Sequence, residues 1–305
     1  MKRWITTAVV ILLVLIGLFL LLYPTVSDYV NSLAYARAIA DFQDDVTKLD
    51  EETYVDLLAE ARDYNRRLAA KGGPLEKLTE EELAEYKGLL DFTGTGIMGY
   101  VTIEKIGVSL PIYHGTNESV LQSGIGHLEG TSFPVPGESV HAVISGHSGL
   151  PSSKLFTNID QLVVGDTFTV SILKETLTYE VDQIVTVLPY ETDDLVIQEG
   201  QEYCTLLTCT PYGVNTHRLL VRGHRIETQE SADESSKAQA LDLDRGRLLG
   251  INIELILLGG AVLLGLLIIL AALLWLRPNG WKRYKGRRLA NEEEAAHHRT
   301  EDRGE

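Results

Sequence analysis

A cysteine, a histidine and an arginine stand where chemistry could use them. Cys209 closes the run Thr205-Leu206-Leu207-Thr208-Cys209 and is followed by Thr210-Pro211-Tyr212-Gly213, which is turn chemistry. A thiol at a strand end beside a turn is presented rather than packed. His147 lies in Ser145-Gly146-His147-Ser148-Gly149, where flanking glycines permit close approach by something extended. Arg218 starts the next apolar run after the turn, so a hairpin would return it to Cys209. The three supply a nucleophile, a proton-transfer partner and an always-charged stabiliser of an oxyanion or substrate carbonyl. A free thiol ionises near about pH 8.5, and neighbouring His and Arg raise its thiolate fraction. The bland alternatives are an inert buried thiol and a surface arginine paired with an acid. Thr208, Thr210 and Ser148 flank these residues and are expected to line a substrate groove.

The chain has two cysteines and eight histidines. Cys204 and Cys209 are five apart in one strand-like segment, hence on opposite faces and about 16 Å apart, too far for a disulfide. Both are expected to be free, with Cys204 a small core residue. His114, His127, His141, His217 and His224 lie in strands or at their edges and read as hydrogen-bonded structural residues; His297 and His298 lie near the C-terminus. No pair between the apolar runs has the C-x₂-C or H-x₃-H spacing of a zinc site, so neither a metal nor a cofactor is expected.

The elements that must position these residues are legible in part. Segments rich in β-branched residues recur at 100–103, 108–113, 140–145, 167–173, 177–188, 203–208 and 217–226. Seven or eight strands with few helices between them predict an all-β barrel or sandwich, with one helical turn in 154–162. Ahead of them the spacing predicts helices. One covers about 27–47, and a second is capped by Asp50 and stopped by Gly72-Gly73-Pro74. A third opens on the capping-box pair Thr79 and Glu82 and ends near Gly88. No repeat of solenoid period is present.

Two uncharged apolar runs, Ile5 to Tyr23 and Leu255 to Leu276, are each long enough to span a bilayer. Lys2 and Arg3 precede the first; Arg277, Lys282, Arg283, Lys285, Arg287 and Arg288 come after the second. The positive-inside rule then places both termini in the cytoplasm and the intervening domain outside the cell. The residues after Tyr23 make a poor cleavage site, so the first run reads as an uncleaved anchor rather than a signal peptide. Residues 24–250 carry 36 acidic and 17 basic side chains, and the formal net charge of the chain is −16. That balance excludes nucleic acid as a partner.

With these residues assembled, the sequence resembles a known family. TLLTCTPYGVNTHRLLVRG (205–223) is similar to the sortase active-site signature, SGHSGLP (145–151) to its histidine block, and PIYHGT (111–116) and GHLEGTSFP (126–134) to two further blocks. Helices before the barrel and a second span after it resemble the class C, pilus-assembling sortases. The resemblance covers roughly residues 30–226. It implies an eight-stranded β-barrel with a transmembrane helix at each end, and a cysteine transpeptidase. The expected organisation is a cytoplasmic start (1–4), first span (5–23), extracellular helices with a lid segment (24–91) and catalytic barrel (92–227). A polar linker (228–250), second span (251–276) and cytoplasmic tail (277–305) complete it.

The resemblance also implies roles. Cys209 would cleave a Leu-Pro-x-Thr-Gly-like sorting signal between Thr and Gly, forming a thioacyl enzyme. His147 would carry protons to and from the two amines, and Arg218 would bind the signal backbone and the oxyanion. The expected partners are pilins or surface proteins carrying such signals, with a pilin lysine as the incoming amine. A cell-wall precursor amine is the alternative, as in a housekeeping sortase; a non-enzymatic surface scaffold is the third reading. One departure from the family pattern falls in the lid: Gly73-Pro74-Leu75 stands where an Asp-Pro-aromatic motif is expected. Gly73 cannot pair with Arg218, and Leu75 offers less apolar area than a ring, so a weaker, apolar lid is expected.

Overall fold

The computed structural model describes residues 2–74, 77–227 and residue 265 of the 305. It divides into two compact units, residues 1–21 with 248–305, and residues 22–247. In the first unit the side chains of Leu12, Leu13, Phe19 and Leu20 are exposed, and the helix they belong to is long and apolar enough to cross a membrane. The expected second span falls outside the described residues, apart from Gly265.

In sequence order the second unit runs from helices into strands. Helix α1 (Lys2–Lys48) passes through Pro24 and joins what the sequence alone suggests are two helices, 5–23 and 27–47. Past Pro24 its residues Tyr35, Ile39, Phe42 and Val46 recur at helical spacing and are buried, so this half is held by packing as well as by propensity. Helix α2 (Glu51–Ala70) begins where Asp50 accepts the Thr53 amide at 2.8 Å, and Gly72 beyond its end takes the left-handed conformation at φ +77°. Helix α3 (Glu80–Gly88) opens on the expected capping box, with Thr79 and Glu82 satisfying each other's backbone amides. The buried Tyr86 fixes this helix to the strands, its ring stacking on His127 and Phe133. The Tyr86 hydroxyl accepts the Gly115 amide at 3.0 Å.

Among the described residues the strands number eight: β1 (Ile97–Ile103), β2 (Val108–His114), β3 (Ile125–His127), β4 (Val140–Ser145), β5 (Thr167–Ile172), β6 (Glu175–Val187), β7 (Glu202–Thr210) and β8 (His217–Ile226). A short helix α4 (Glu118–Ser123) lies between β2 and β3. The strands close into a barrel in the order β1-β2-β3-β4-β7-β8-β6-β5, with β5 returning to β1. The β2–β3 and β4–β7 pairs are parallel, and all others antiparallel. Alternation sends Ala142, Ile144, Cys204, Leu206, Leu219 and Val221 into the main core. The opposite faces of β4, β7 and β8 present Val143, Leu207 and Leu220, which form a second apolar cluster with Leu195 from the β6–β7 connection.

Candidate active site

That second face carries the three residues read from the sequence. Cys209 lies two positions beyond Leu207 on β7, and Arg218 two positions before Leu220 on β8, so both share the Leu207/Leu220 face. They are direct cross-strand partners in the β7–β8 register. β4 runs parallel to β7 with Ser145 opposite Leu207, so the chain continues to His147 beside the end of β7 that bears Cys209. Two bonds hold that exit. The Gly146 amide donates to the Leu207 carbonyl at 3.0 Å, and the Thr208 hydroxyl donates to the Gly146 carbonyl at 2.7 Å. A Cβ on Gly146 would lie 2.8 Å from Ile125 and Phe156, so the close packing here requires glycine.

Cys209 is half-buried and free; Cys204 is free and buried in the barrel interior, as the odd spacing requires. Burial pushes the Cys204 thiol well up, which makes it a poor nucleophile. Arg218 donates from Nη1 to the carbonyls of His217 (3.0 Å) and Asn215 (3.3 Å). Among the described residues no carboxylate pairs with it, so the bland reading of a salt-bridged surface arginine does not hold. The His147 Nε2 is buried without a hydrogen-bond partner and faces Glu118 of α4 at 3.9 Å. Gln122 holds that carboxylate at 2.6 Å. Glu118 has no sequence signal beyond the Asn117 cap that places it.

The remaining expected site residues are distributed differently. Thr208 is 3% exposed, and its side chain straps β7 to Gly146 instead of lining the groove; its even position gives it the face opposite Cys209. Thr210 shares that parity, and Ser148 is half-buried beside His147. Tyr212, two-thirds exposed, sits against Gly149, whose Cβ would meet the ring at 3.2 Å. Gly73 accepts the Ile197 amide at 3.4 Å and packs on Leu68. The neighbouring Val196 carbonyl faces His141 Nδ1 at 3.1 Å, and His141 is paired with Tyr203, six residues from Cys209. Gly73 is thus tied to the β6–β7 connection that packs on His141 at the start of β4. Leu75 lies outside the described residues. Among the described residues no cluster of His, Cys, Asp and Glu could hold a metal.

A closed eight-stranded barrel that sets a half-buried cysteine across from an arginine without an acid partner among the described residues has close parallels among known proteins. The model of the sortase domain matches residues 101–226. Sortase D of Bacillus subtilis is 29% identical over 131 residues, and the chain spans 63% of its length. The crystal structure of sortase C1 from Streptococcus agalactiae is 54% identical, with a TM-score of 0.62 over 63% of this chain and 100% of that one. A sortase C of Streptococcus pneumoniae is 41% identical, with a TM-score of 0.58 over 64% of this chain and 99% of that one. The chain belongs to the sortase family of cysteine transpeptidases. Within it, the likeness to these structures places it with class C.

Proposed function

We propose that this sortase cleaves a Leu-Pro-x-Thr-Gly-like sorting signal and joins the freed threonine to the lysine amine of a pilin. The Cys209 sulfur attacks the threonine carbonyl carbon, and the oxyanion forms beside the Arg218 donors. The Thr–Gly C–N bond breaks, and His147 gives the departing glycine amine its proton. The incoming amine then attacks the thioester, His147 takes its proton, and the sulfur leaves. The observation that carries this reading is the cross-strand pairing of Cys209 with an Arg218 that has no acid partner among the described residues. The pilin as partner is supported by the work on the Streptococcus pneumoniae sortase C, which is described for its pilin substrate specificity.

The setting belongs to the same proposal. The helix of the first span anchors the enzyme in the membrane, and the second span, the cytoplasmic termini and the extracellular barrel are inferred from the charge pattern. Anchoring enzyme and substrates in one bilayer raises their effective concentration. The segment at Gly73 and Pro74 acts as a weak, apolar lid, held through Leu68 and Ile197.

The test is mass spectrometry of the enzyme after incubation with a quenched sorting peptide, and then addition of a pilin-lysine or a wall-precursor amine. An acyl mass on the Cys209 peptide, released by the lysine donor, is expected. Release by the wall-precursor amine alone would make it a housekeeping enzyme. Undiminished turnover in Cys209→Ala would end the assignment.

A further inference from the structure

The loop from Gly146 to Thr157 carries His147 and is closed by bonds of its own. The Phe156 amide donates to the His147 carbonyl at 3.1 Å, and the Gly149 amide to Thr157 Oγ1 at 3.1 Å. Its tip, however, is held by α1, more than a hundred residues away in sequence. Asp28 accepts the Lys154 backbone amide at 2.8 Å with one carboxylate oxygen and faces the Lys154 ammonium at 3.3 Å with the other. Asn31 donates its side-chain amide to the Ser152 carbonyl at 2.8 Å. The Tyr35 hydroxyl meets Ser153 Oγ at 3.2 Å, with both residues buried.

Residues 28, 31 and 35 keep the i, i+3, i+7 spacing of one helix face, and that face continues through the buried Ile39 and Phe42. The apolar residues Ile39 and Phe42 are buried and contribute to docking the helix. Asp28 and Asn31 instead bind main-chain atoms of the loop, and main-chain bonds fix where a loop goes. Val30 and Leu33, on the other side of the helix, are exposed.

We propose that Asp28, Asn31 and Tyr35 are positioning residues for transpeptidation: through Ser152, Ser153 and Lys154 they fix the loop that orients His147. The helix that carries the apolar anchor is then a working part of the active site as well as a tether. This rests on the reading of His147 as the proton-transfer group. The loop is pinned at Gly146 and at Phe156, but its tip at Ser152–Lys154 is placed by α1, so without the latch the loop and the imidazole it carries sample more orientations. Proton transfer and in-line attack are sensitive to displacements of an ångström.

The test uses the full chain in detergent or liposomes. Asp28→Ala/Asn31→Ala is expected to lower kcat about ten- to a hundredfold with KM for the sorting peptide little changed. The Lys154 amide should exchange with deuterium faster, while the melting temperature stays close to that of the parent. Asp28→Asn, which keeps an acceptor for the Lys154 amide but not the charge, should recover most of the rate. Leu33→Ala, on the exposed face, serves as the control and should turn over normally. Should the double variant unfold, Asn31→Ala and Tyr35→Phe give the same readout singly, since each leaves Ile39 and Phe42 in place. His147→Ala separates the two ideas. If it is inactive while the latch variants keep the parental kcat, or if the Lys154 amide exchanges no faster without Asp28, the latch is overturned. If His147→Ala itself retains full activity, the role of that histidine fails independently.

Discussion

Arg218 directs one guanidinium nitrogen at two backbone carbonyls, and among the described residues Nε and Nη2 have no protein acceptor. Those donors sit on the same face as Cys209, so the charge and geometry are available to an oxyanion rather than committed to a salt bridge. Lysine would bring one compact ammonium in place of a planar fork. Arg218→Lys is accordingly expected to lower kcat/KM by about a hundredfold, the scale of losing an oxyanion donor, with thermal stability unchanged. A near-parental kcat/KM would show that its charge alone suffices. The two cysteines make a second contrast at this scale. Native protein treated with iodoacetamide should gain one label, on Cys209, while Cys204 reacts only after denaturation, because burial in the barrel keeps it both protonated and inaccessible. Two labels on native protein would contradict the interior placement. The pair was legible from the sequence because a five-residue separation in a strand must give opposite faces. By the same parity, Thr208 points away from the groove. Glu118 was not legible, because its place beside His147 depends on a six-residue helix docking against a loop distant in sequence.

At the scale of elements, the exit from β4 is the tightest part of the site. A methyl on Gly146 would collide with Ile125 on β3 and with Phe156 on the loop itself. Gly146→Ala is expected to cost about 1–3 kcal/mol and to move His147, so that activity falls by more than the loss of folded protein accounts for. Thermal unfolding set beside kcat/KM measures both, and a variant with parental values of each would refute the close packing. Long strands announced themselves through β-branched alternation, as in 177–188, and the caps at Asp50 and Thr79 marked helix starts because side-chain acceptors there have a fixed geometry. β3 gave no such signal, since three residues centred on Gly126 are too short to show a period of two. Continuity of α1 through Pro24 was equally hidden: a proline predicts a break from local chemistry, whereas the face that packs at Tyr35, Ile39 and Phe42 is a tertiary fact.

For the whole molecule, two buried histidines set a dependence on pH. His127 is enclosed by Tyr86, Phe133 and Ser132, and His141 by Thr205 and the Val196 carbonyl. Burial brings both down to about 4, with the Arg222 charge adding to the effect at His141. An unfolded chain would take up protons at these sites from about pH 6.5 downward, while the native protein does so only near 4. Stability from this source is therefore complete above about pH 6.5 and lost as the pH falls towards 4, by on the order of 3 kcal/mol for each histidine. Melting temperatures recorded from about pH 7.5 to about pH 4.5 should fall steadily through that window. A flat profile would mean that neither ring is buried in its neutral form.

The circular order of the strands has one more consequence. With β5 hydrogen-bonded back to β1, every strand of the described barrel has a neighbour on each side, so an incoming peptide finds no free edge strand to extend as a ninth. Extended ligands must then cross the sheet over side chains, and recognition depends on the few polar groups that face outward there.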